Sequence, residues 1–367
     1  MQVLPEHERR SSIHEKILDS FPPPKFLNIA ATGVDISDTS VKVMHLKQTK
    51  AGHIPDFFEE RRMTPGIVHG GEIKDTESLV KVLTALRRKH NISFVRASLP
   101  EEKAYLFQTT VPHIEDRKQL RNNIEFQLEE HVPISPEQSI FDYDIIEVRP
   151  EGIEVSVTVF PKPVITNYQQ AFREAGMTPV AFEIEGQAMA NAIIPRGDVK
   201  TYMIVDFGRK RSGISIVKNG IVTFTSTVDV GGDELTEHII EYLGVNESKS
   251  LKFKNKEGLL GLDEGNKELH DALIQSVTSL RDEVHRHFLY WNNRERDHGK
   301  DYQVGEIILC GGNASLAGLP EFLSSTVKVP VTRADVWQNA FSYEEYIPQM
   351  SRETALSYAT VIGLALT

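Results

Sequence analysis

An α/β protein of two similar lobes, carrying an additional inserted α/β unit, is what this sequence predicts. Three observations lead there. A strand–turn–strand pattern with an acid near the end of its first strand occurs twice, at Asp35 and Asp206, roughly 170 residues apart, which points to an internal duplication. Strand and helix patterns alternate through both halves. Residues 102–182 form a complete series of their own: strand, helix, two strands, helix, strand.

Bulk properties narrow the function. The chain of 367 residues is 40% hydrophobic and 25% charged, ordinary for folded globular protein, and at roughly 100–200 residues per domain it makes two to three domains. Cys310 is the only cysteine, which excludes a disulfide framework or a zinc cluster and suits a reducing compartment. A net charge of −11 argues against a nucleic-acid partner. The start "MQVLPEHERRSSIHEK" is too polar for a secretory signal, and no apolar run nears the ~20 residues of a membrane span. Any membrane role is expected through partners.

Residues 1–25 read as a tail, with one amphipathic piece, "IHEKILDSF", ahead of Pro22-Pro23-Pro24, which favour an extended spacer. The first part of the first lobe covers 26–101. "FLNIAATGVDIS" and "SVKVMHLKQ" are paired strands, and "IPDFFEERRMTPGIVHGGEIK" adds a strand and a turn. "DTESLVKVLTALRRKHN" has apolar residues at helical spacing, a cap at Asp75 or Thr76 and a basic last turn. "FVRASLP" is a buried strand. The inserted unit at 102–182 comes next, then an inter-lobe helix within 183–200, the second lobe at 201–350, and a closing C-terminal helix at 351–367.

The joint Ser37-Asp38-Thr39-Ser40 holds an acid and three hydroxyls, where an ordinary two-residue hairpin uses Asn-Gly or Asp-Gly. "YMIVDFGRKRSGISIVKNGIVTFTSTV" restates the pattern: a strand into Asp206, a turn through Gly208 and Ser212, and a second strand. Alone, either is equally a surface hairpin whose Asp caps its own turn. The pair, at matching places in two halves, points to one shared site. "DVGGDELTEHIIEYLGV" sets Gly231-Gly232 before a helix with Asp233 as its cap. Glycines there let an anion approach free N–H groups, and a plain strand-to-helix turn accounts for them equally. "EIILCGGNASLAGLPEFLSSTV" ends a buried strand at Cys310, turns at Gly311-Gly312-Asn313 and starts a helix near Leu316. Such turns flank ligands in open α/β sheets. Neither GxxxxGK[ST] nor GxGxxG occurs, against a Walker-type ATPase and a Rossmann dehydrogenase.

Together these segments resemble the actin-like ATPase superfamily. Within it, "GVDISDTSVKVMHL", "IVDFGRKRSGISIVKNG", "VGGDELT", "GGNASLAGLPEFL" and "SYATVIGLALT" are similar to the PilM family of type IV pilus assembly proteins, in the branch that holds FtsA. The resemblance implies duplicated ribonuclease H-like lobes, an SHS2-type inserted subdomain, and ATP with Mg²⁺ in the cleft. Carried over, Asp35, Ser37, Asp38, Thr39, Ser40 and Lys42 would meet phosphates, with Asp35 and Asp206 holding Mg²⁺ through water. Gly208 and Ser212 would serve from the second lobe. Gly231, Gly232 and Asp233 would contact phosphate or ribose, and Gly311, Gly312 and Asn313 would flank the adenosine. Glu185 falls where some relatives keep a water-polarising acid; a helix-start Glu favoured by the dipole is the plain alternative. Two departures stand out: Ser37 where many relatives carry Gly, and bulky Arg209-Lys210-Arg211 between Gly208 and Ser212. ATP binding with at most slow turnover is implied.

The resemblance further implies a cytoplasmic scaffold at the inner face of the membrane. A PilN-like bitopic protein would dock its N-terminal cytoplasmic peptide between first lobe and insert, and an assembly ATPase and platform proteins would also bind. An FtsA-like division protein is the alternative, though no basic amphipathic helix follows "YATVIGLAL". A small-molecule kinase of the same superfamily is a third reading. Elsewhere, His285 and His287 lie two apart on a helix and so face apart, which disfavours a metal site. The Gly70 stretch reads as a turn with a helix cap, "FLYWNN" as core, and Cys310 as an inert buried thiol.

Overall fold

The opening apolar run folds as an antiparallel meander, β1 (Thr32–Ile36), β2 (Ser40–Thr49) and β3 (Gly52–Arg62). Val34, Val41, Val43 and Met44 are its fully buried side chains. The structure, a computed structural model, describes residues 30–114, 116–260, 267–294 and 302–367. The tail expected at 1–25 lies outside the described residues. A two-stranded turn, β4 (Val68–His69) with β5 (Glu72–Ile73), leads to α1 (Thr76–His90). Asp75 caps α1 by accepting the Ser78 amide, Leu79, Leu83 and Leu86 line its buried face, and Asn91 ends it at φ 53. β6 (Phe94–Leu99) then runs parallel to β1.

Next come β7 (Tyr105–Val111), α2 (Arg117–His131), β8 (Ser139–Arg149) and β9 (Gly152–Pro161). They make a sheet of order β7-β9-β8 with α2 on it, and have their own core of Ile124, Leu128, Val155, Val157 and Val159. This core ends near Pro161, short of the expected boundary at 182. α3 (Lys162–Glu174) buries Tyr168, Ala171 and Phe172 in the main core, and β10 (Thr178–Ile184) pairs with β6. Both therefore belong to the first lobe. The unit is also tied to the second lobe: Ser156 Oγ donates to the Val222 carbonyl at 2.7 Å and Asn219 Nδ2 to that of Ile146 at 2.9 Å.

α4 (Glu185–Ile193) joins the lobes. The second lobe repeats the first: a meander of β11 (Thr201–Phe207), β12 (Ser212–Lys218) and β13 (Ile221–Val228), then α5 (Asp233–Leu243), α6 (Glu247–Lys256) and α7 (Lys267–Arg294). β14 (Glu306–Cys310) and β15 (Val331–Arg333), with α8 (Leu319–Val327) between, complete its sheet in parallel. The two sheets have the same plan, β10-β6-β1-β2-β3 and β15-β14-β11-β12-β13. α8 starts three residues after the expected Leu316, because Gly318 turns the chain at φ 83.

The chain closes with α9 (Arg352–Leu356) and α10 (Ala359–Leu366), two short helices where one was expected. α10 wedges between β1 and α4 at backbone distance. A Cβ on Gly363 would lie 1.6 Å from the Ala188 carbonyl oxygen, and one on Gly33 would lie 2.4 Å from that of Val361. Among the described residues no helix is long and apolar enough to cross a membrane.

Candidate functional site

Equivalent hairpins at the tips of the two sheets line one cavity of ≈ 300 Å³ between the lobes. Asp35 pairs across β1–β2 with Lys42, and Asp206 across β11–β12 with Gly213. Asp35 Oδ1 accepts a hydrogen bond from Ser98 Oγ at 2.8 Å. Lys42 Nζ donates to the Ser357 carbonyl at 2.6 Å. Gly311, at φ +90, lets the third turn close on the acid: a Cβ there would stand 2.2 Å from Asp206 Oδ1.

The cavity crowds carboxyl groups. Burial pushes Asp206 up to about 6, with Lys42 pulling it down and Asp35 adding to the rise. Glu185, at the first position of α4, is raised well above the ordinary range by burial, then by Asp35, Glu101, Glu102 and Asp206. Burial likewise pushes Glu101 up to about 7, against hydrogen bonds from Thr225 and Gly186, with Asp206 and Glu102 adding to it. Like charges gathered in a low-dielectric cleft favour protons or a cation there. Lys42, Arg209 and Lys210 supply positive charge on the same walls. That donor set fits a hard cation held with phosphate oxygens.

The cavity also includes Ser37, Asp38, Thr39, Ser40, Gly208, Asp233, Gly312 and Asn313, yet several of these are already engaged. Ser37 Oγ accepts the Thr39 amide (3.3 Å) and the Ser40 amide (3.1 Å), so the hydroxyl caps the N–H groups assigned to phosphate. Asp38 accepts the Gly70 and Gly71 amides at 3.1 and 3.2 Å, and also the Arg211 guanidinium from the opposite lobe. Arg211 holds Glu102 as well, and Arg209 pairs with Asp233 at 3.1 Å. The two arginines of the basic triplet therefore bridge acids. Asn313 Nδ2 donates to the Gly208 carbonyl at 2.7 Å.

Ser212, Gly231 and Gly232 do not line the cavity. Ser212 is fully buried and donates to the Val230 carbonyl at 2.6 Å. A Cβ on Gly231 would meet the Arg209 oxygen at 2.3 Å, and one on Gly232 the Asn313 side chain at 2.0 Å. These glycines serve close packing of the second hairpin against the start of α5.

Three groups escaped the sequence reading. Glu101 and Glu102 follow "SLP" at the carboxyl end of a buried strand, a place that should have marked them. Lys254 sits in the lysine-rich run "KSLKFKNK" and is 2% exposed. Its Nζ donates to Asn313 Oδ1 (2.5 Å), Thr236 Oγ1 (3.1 Å) and the Gly232 carbonyl (3.2 Å), and burial lowers it to about 8. Nothing in the sequence sets Lys254 apart from the lysines around it, because its burial is a property of the fold. His287 is bonded to the Glu283 carbonyl and Ser226 Oγ, and burial raises the Cys310 thiol well above its ordinary value.

Two sheets of identical strand order, joined by one helix and closing on a cleft lined by both acid-tipped hairpins, define an actin-like ATPase fold. The profile of the family described as type IV pilus assembly protein PilM matches residues 33–367, and the chain belongs to that family. The solved PilM-PilN type IV pilus biogenesis complex is similar in fold: TM-score 0.73 at 17% identity, covering 92% of this chain and 98% of that one. MreB5 of Spiroplasma citri bound to ADP gives TM-score 0.50 at 12% identity, over 91% of this chain and 94% of that one. By sequence, cell division protein FtsA of Streptococcus pneumoniae serotype 2 (strain D39 / NCTC 7466) is 21% identical over 384 residues, covering 90% of this chain and 83% of the relative.

Proposed function

We propose that this protein binds Mg-ATP in the inter-lobe cleft. It serves as a cytoplasmic scaffold for assembly of a type IV pilus or a related type II secretion machine. The observation that carries the nucleotide reading is the pair Asp35 and Asp206, on equivalent strands of two lobes, lining one cavity beside Lys42, Arg209 and Lys210. Asp35 and Asp206 hold the Mg²⁺ through water. Among the described residues no group of three or more His, Cys, Asp or Glu is arranged to ligate a metal directly. Bound Mg²⁺ neutralises phosphate charge and relieves the repulsion among the acids. Lys42 and the Thr39–Ser40 segment face the phosphates, and Gly311, Gly312 and Asn313 flank the adenosine. Glu185 is the group placed to orient water, and turnover is at most slow.

Calorimetry with Mg-ATP tests this on the wild type and on Asp35→Asn/Asp206→Asn. Binding that falls at least about a hundredfold in the variant supports the reading; a wild type that takes up no Mg-ATP overturns it.

The partner is the N-terminal cytoplasmic peptide of a PilN-like bitopic membrane protein, docked between first lobe and insert. Both walls there carry acids. Glu183 on β10 is raised mainly by burial, against the Thr367 hydrogen bond and the Arg96 charge, with Asp144 on β8 adding to the rise, and Asp144 is itself raised by burial and Asp142. Such walls suit the positively charged end of a peptide. The pilus assembly ATPase and platform proteins are the further partners, and attachment to the inner face of the membrane runs through them. Binding of a peptide of that class should weaken at least about tenfold in Asp144→Lys if the acids recognise it.

A further inference from the structure

One buried carboxyl group at the lobe junction has both of its oxygens engaged by other elements of the protein. Glu101 opens the short 3₁₀ turn Glu101–Lys103 after β6 and is 7% exposed. Its oxygens are shared among three elements. Oε1 accepts the Gly186 amide of α4 at 2.5 Å and Ser215 Oγ of β12 at 3.5 Å. Oε2 accepts Thr225 Oγ1 of β13 at 2.6 Å. A first-lobe side chain thus grips the inter-lobe helix and two strands of the second lobe at once.

The approach is close: a Cβ on Gly186 would stand 2.5 Å from Ser215 Oγ and 2.6 Å from Glu101 Oε1. The amide held here closes the peptide unit that begins at Glu185. Next along the chain, Glu102 takes Arg211 from the second hairpin. Packing alone would favour a neutral side chain at such a depth, since burying a carboxylate is costly unless its bonds are used. Each hydrogen bond of the Glu101 side chain joins it to α4 or to the second lobe.

We propose that Glu101 is a positioning residue, transmitting the place of the second lobe through its carboxyl group to the Glu185–Gly186 peptide and so setting where Glu185 stands in the cleft. This rests on the nucleotide reading above. The decisive variant is Thr225→Val, because the Thr225 hydroxyl bonds Glu101 and not α4. Amide hydrogen exchange of the segment 183–189 and Mg-ATP calorimetry would be read on wild type, Thr225→Val, Glu101→Ala, their double variant and Glu101→Gln.

Thr225→Val should speed exchange at Gly186 about 3- to 10-fold and add nothing in the Glu101→Ala background, the mark of one coupled path. Glu101→Gln, whose amide oxygen still accepts the Gly186 N–H, should return exchange and affinity to within about twofold of wild type. Additive effects, or a Thr225→Val protein with unchanged Gly186 exchange, overturn the proposal. If Glu101→Ala does not fold, Thr225→Val and Glu101→Gln carry the same test. Non-additive exchange in a protein that binds no Mg-ATP would uphold the coupling and sink the nucleotide reading. Mg-ATP binding with additive exchange would do the reverse.

Discussion

Arg211 of the second lobe reaches across the cleft to the carboxylate of Asp38 in the first, while Asp38 also accepts the amides of Gly70 and Gly71. The pair is 20% and 12% exposed, so solvent screens it only in part. An ion pair at that depth, with its remaining lone pairs satisfied, is worth more than a surface pair and less than a fully buried one. Arg211→Ala should cost about 1–3 kcal/mol of stability. It should also widen the nucleotide-free protein in small-angle scattering. A scattering profile identical to wild type would show that Arg211 does not hold the lobes together.

Ser37 offers a sharper trade. Its hydroxyl occupies the Thr39 and Ser40 amides, which Ser37→Gly would release to an incoming phosphate. The variant should lose only about a few tenths of a kcal/mol of stability, as when glycine replaces a capping hydroxyl. Mg-ATP affinity, followed by calorimetry, should rise several-fold. Weaker binding would mean the cap is needed to shape the turn.

Protonation gives a third outcome. Glu101 and Asp206 have folded values raised to about 7 and about 6. A raised acid contributes stability that is full below its unfolded value and is lost as pH rises through the folded one. The nucleotide-free protein should therefore lose stability between about pH 4.5 and 7. Glu59, held down to about 2 by Lys89, His90 and Arg61 against its own burial, has its contribution complete above pH 4.5. Glu101→Gln should flatten the slope, and Mg²⁺ with nucleotide should restore stability at the upper end. Melting temperatures across that range decide it. A rise from pH 5 to 7 in the apo protein would contradict the assignment.

Gly363→Ala adds a methyl 1.6 Å from the Ala188 carbonyl oxygen. The neighbour is backbone, so relief requires α10 and α4 to part. Overpacking of this kind costs about 1–3 kcal/mol and sometimes more, and in thermal melts the variant should fall at the upper end. A midpoint within a degree of wild type would mean the helices slide apart freely.

The duplication was legible because the short apolar runs in "GVDI" and "MIVDF" each mark a strand and each carry an acid near the tip. The site was legible only in outline. A hydroxyl beside free amides reads the same whether it serves phosphate or, as with Ser37, its own backbone. Gly231 and Gly232 signal close approach, but the approaching groups are Arg209 and the side chain of Asn313. β10 looks like one more strand of the inserted unit, since pairing with β6 is a long-range property. Glu101 follows a proline in a loop, where an acid is normally solvated; its burial depends on β12 and β13, more than a hundred residues away in the chain.

The wedge formed by α10 has a consequence for how the protein is made. β1 leaves the ribosome early, but the helix that covers it is encoded roughly 320 residues later, a delay of roughly 15–65 s at about 5–20 residues per second. Through that interval the first sheet waits with an apolar face uncovered and the inter-lobe helix unseated. Contacts of such sequence separation are slow to form and expose the chain to aggregation. Holding the nascent first half soluble is therefore a requirement of this architecture, and translation speed over the second half sets how long it must be met.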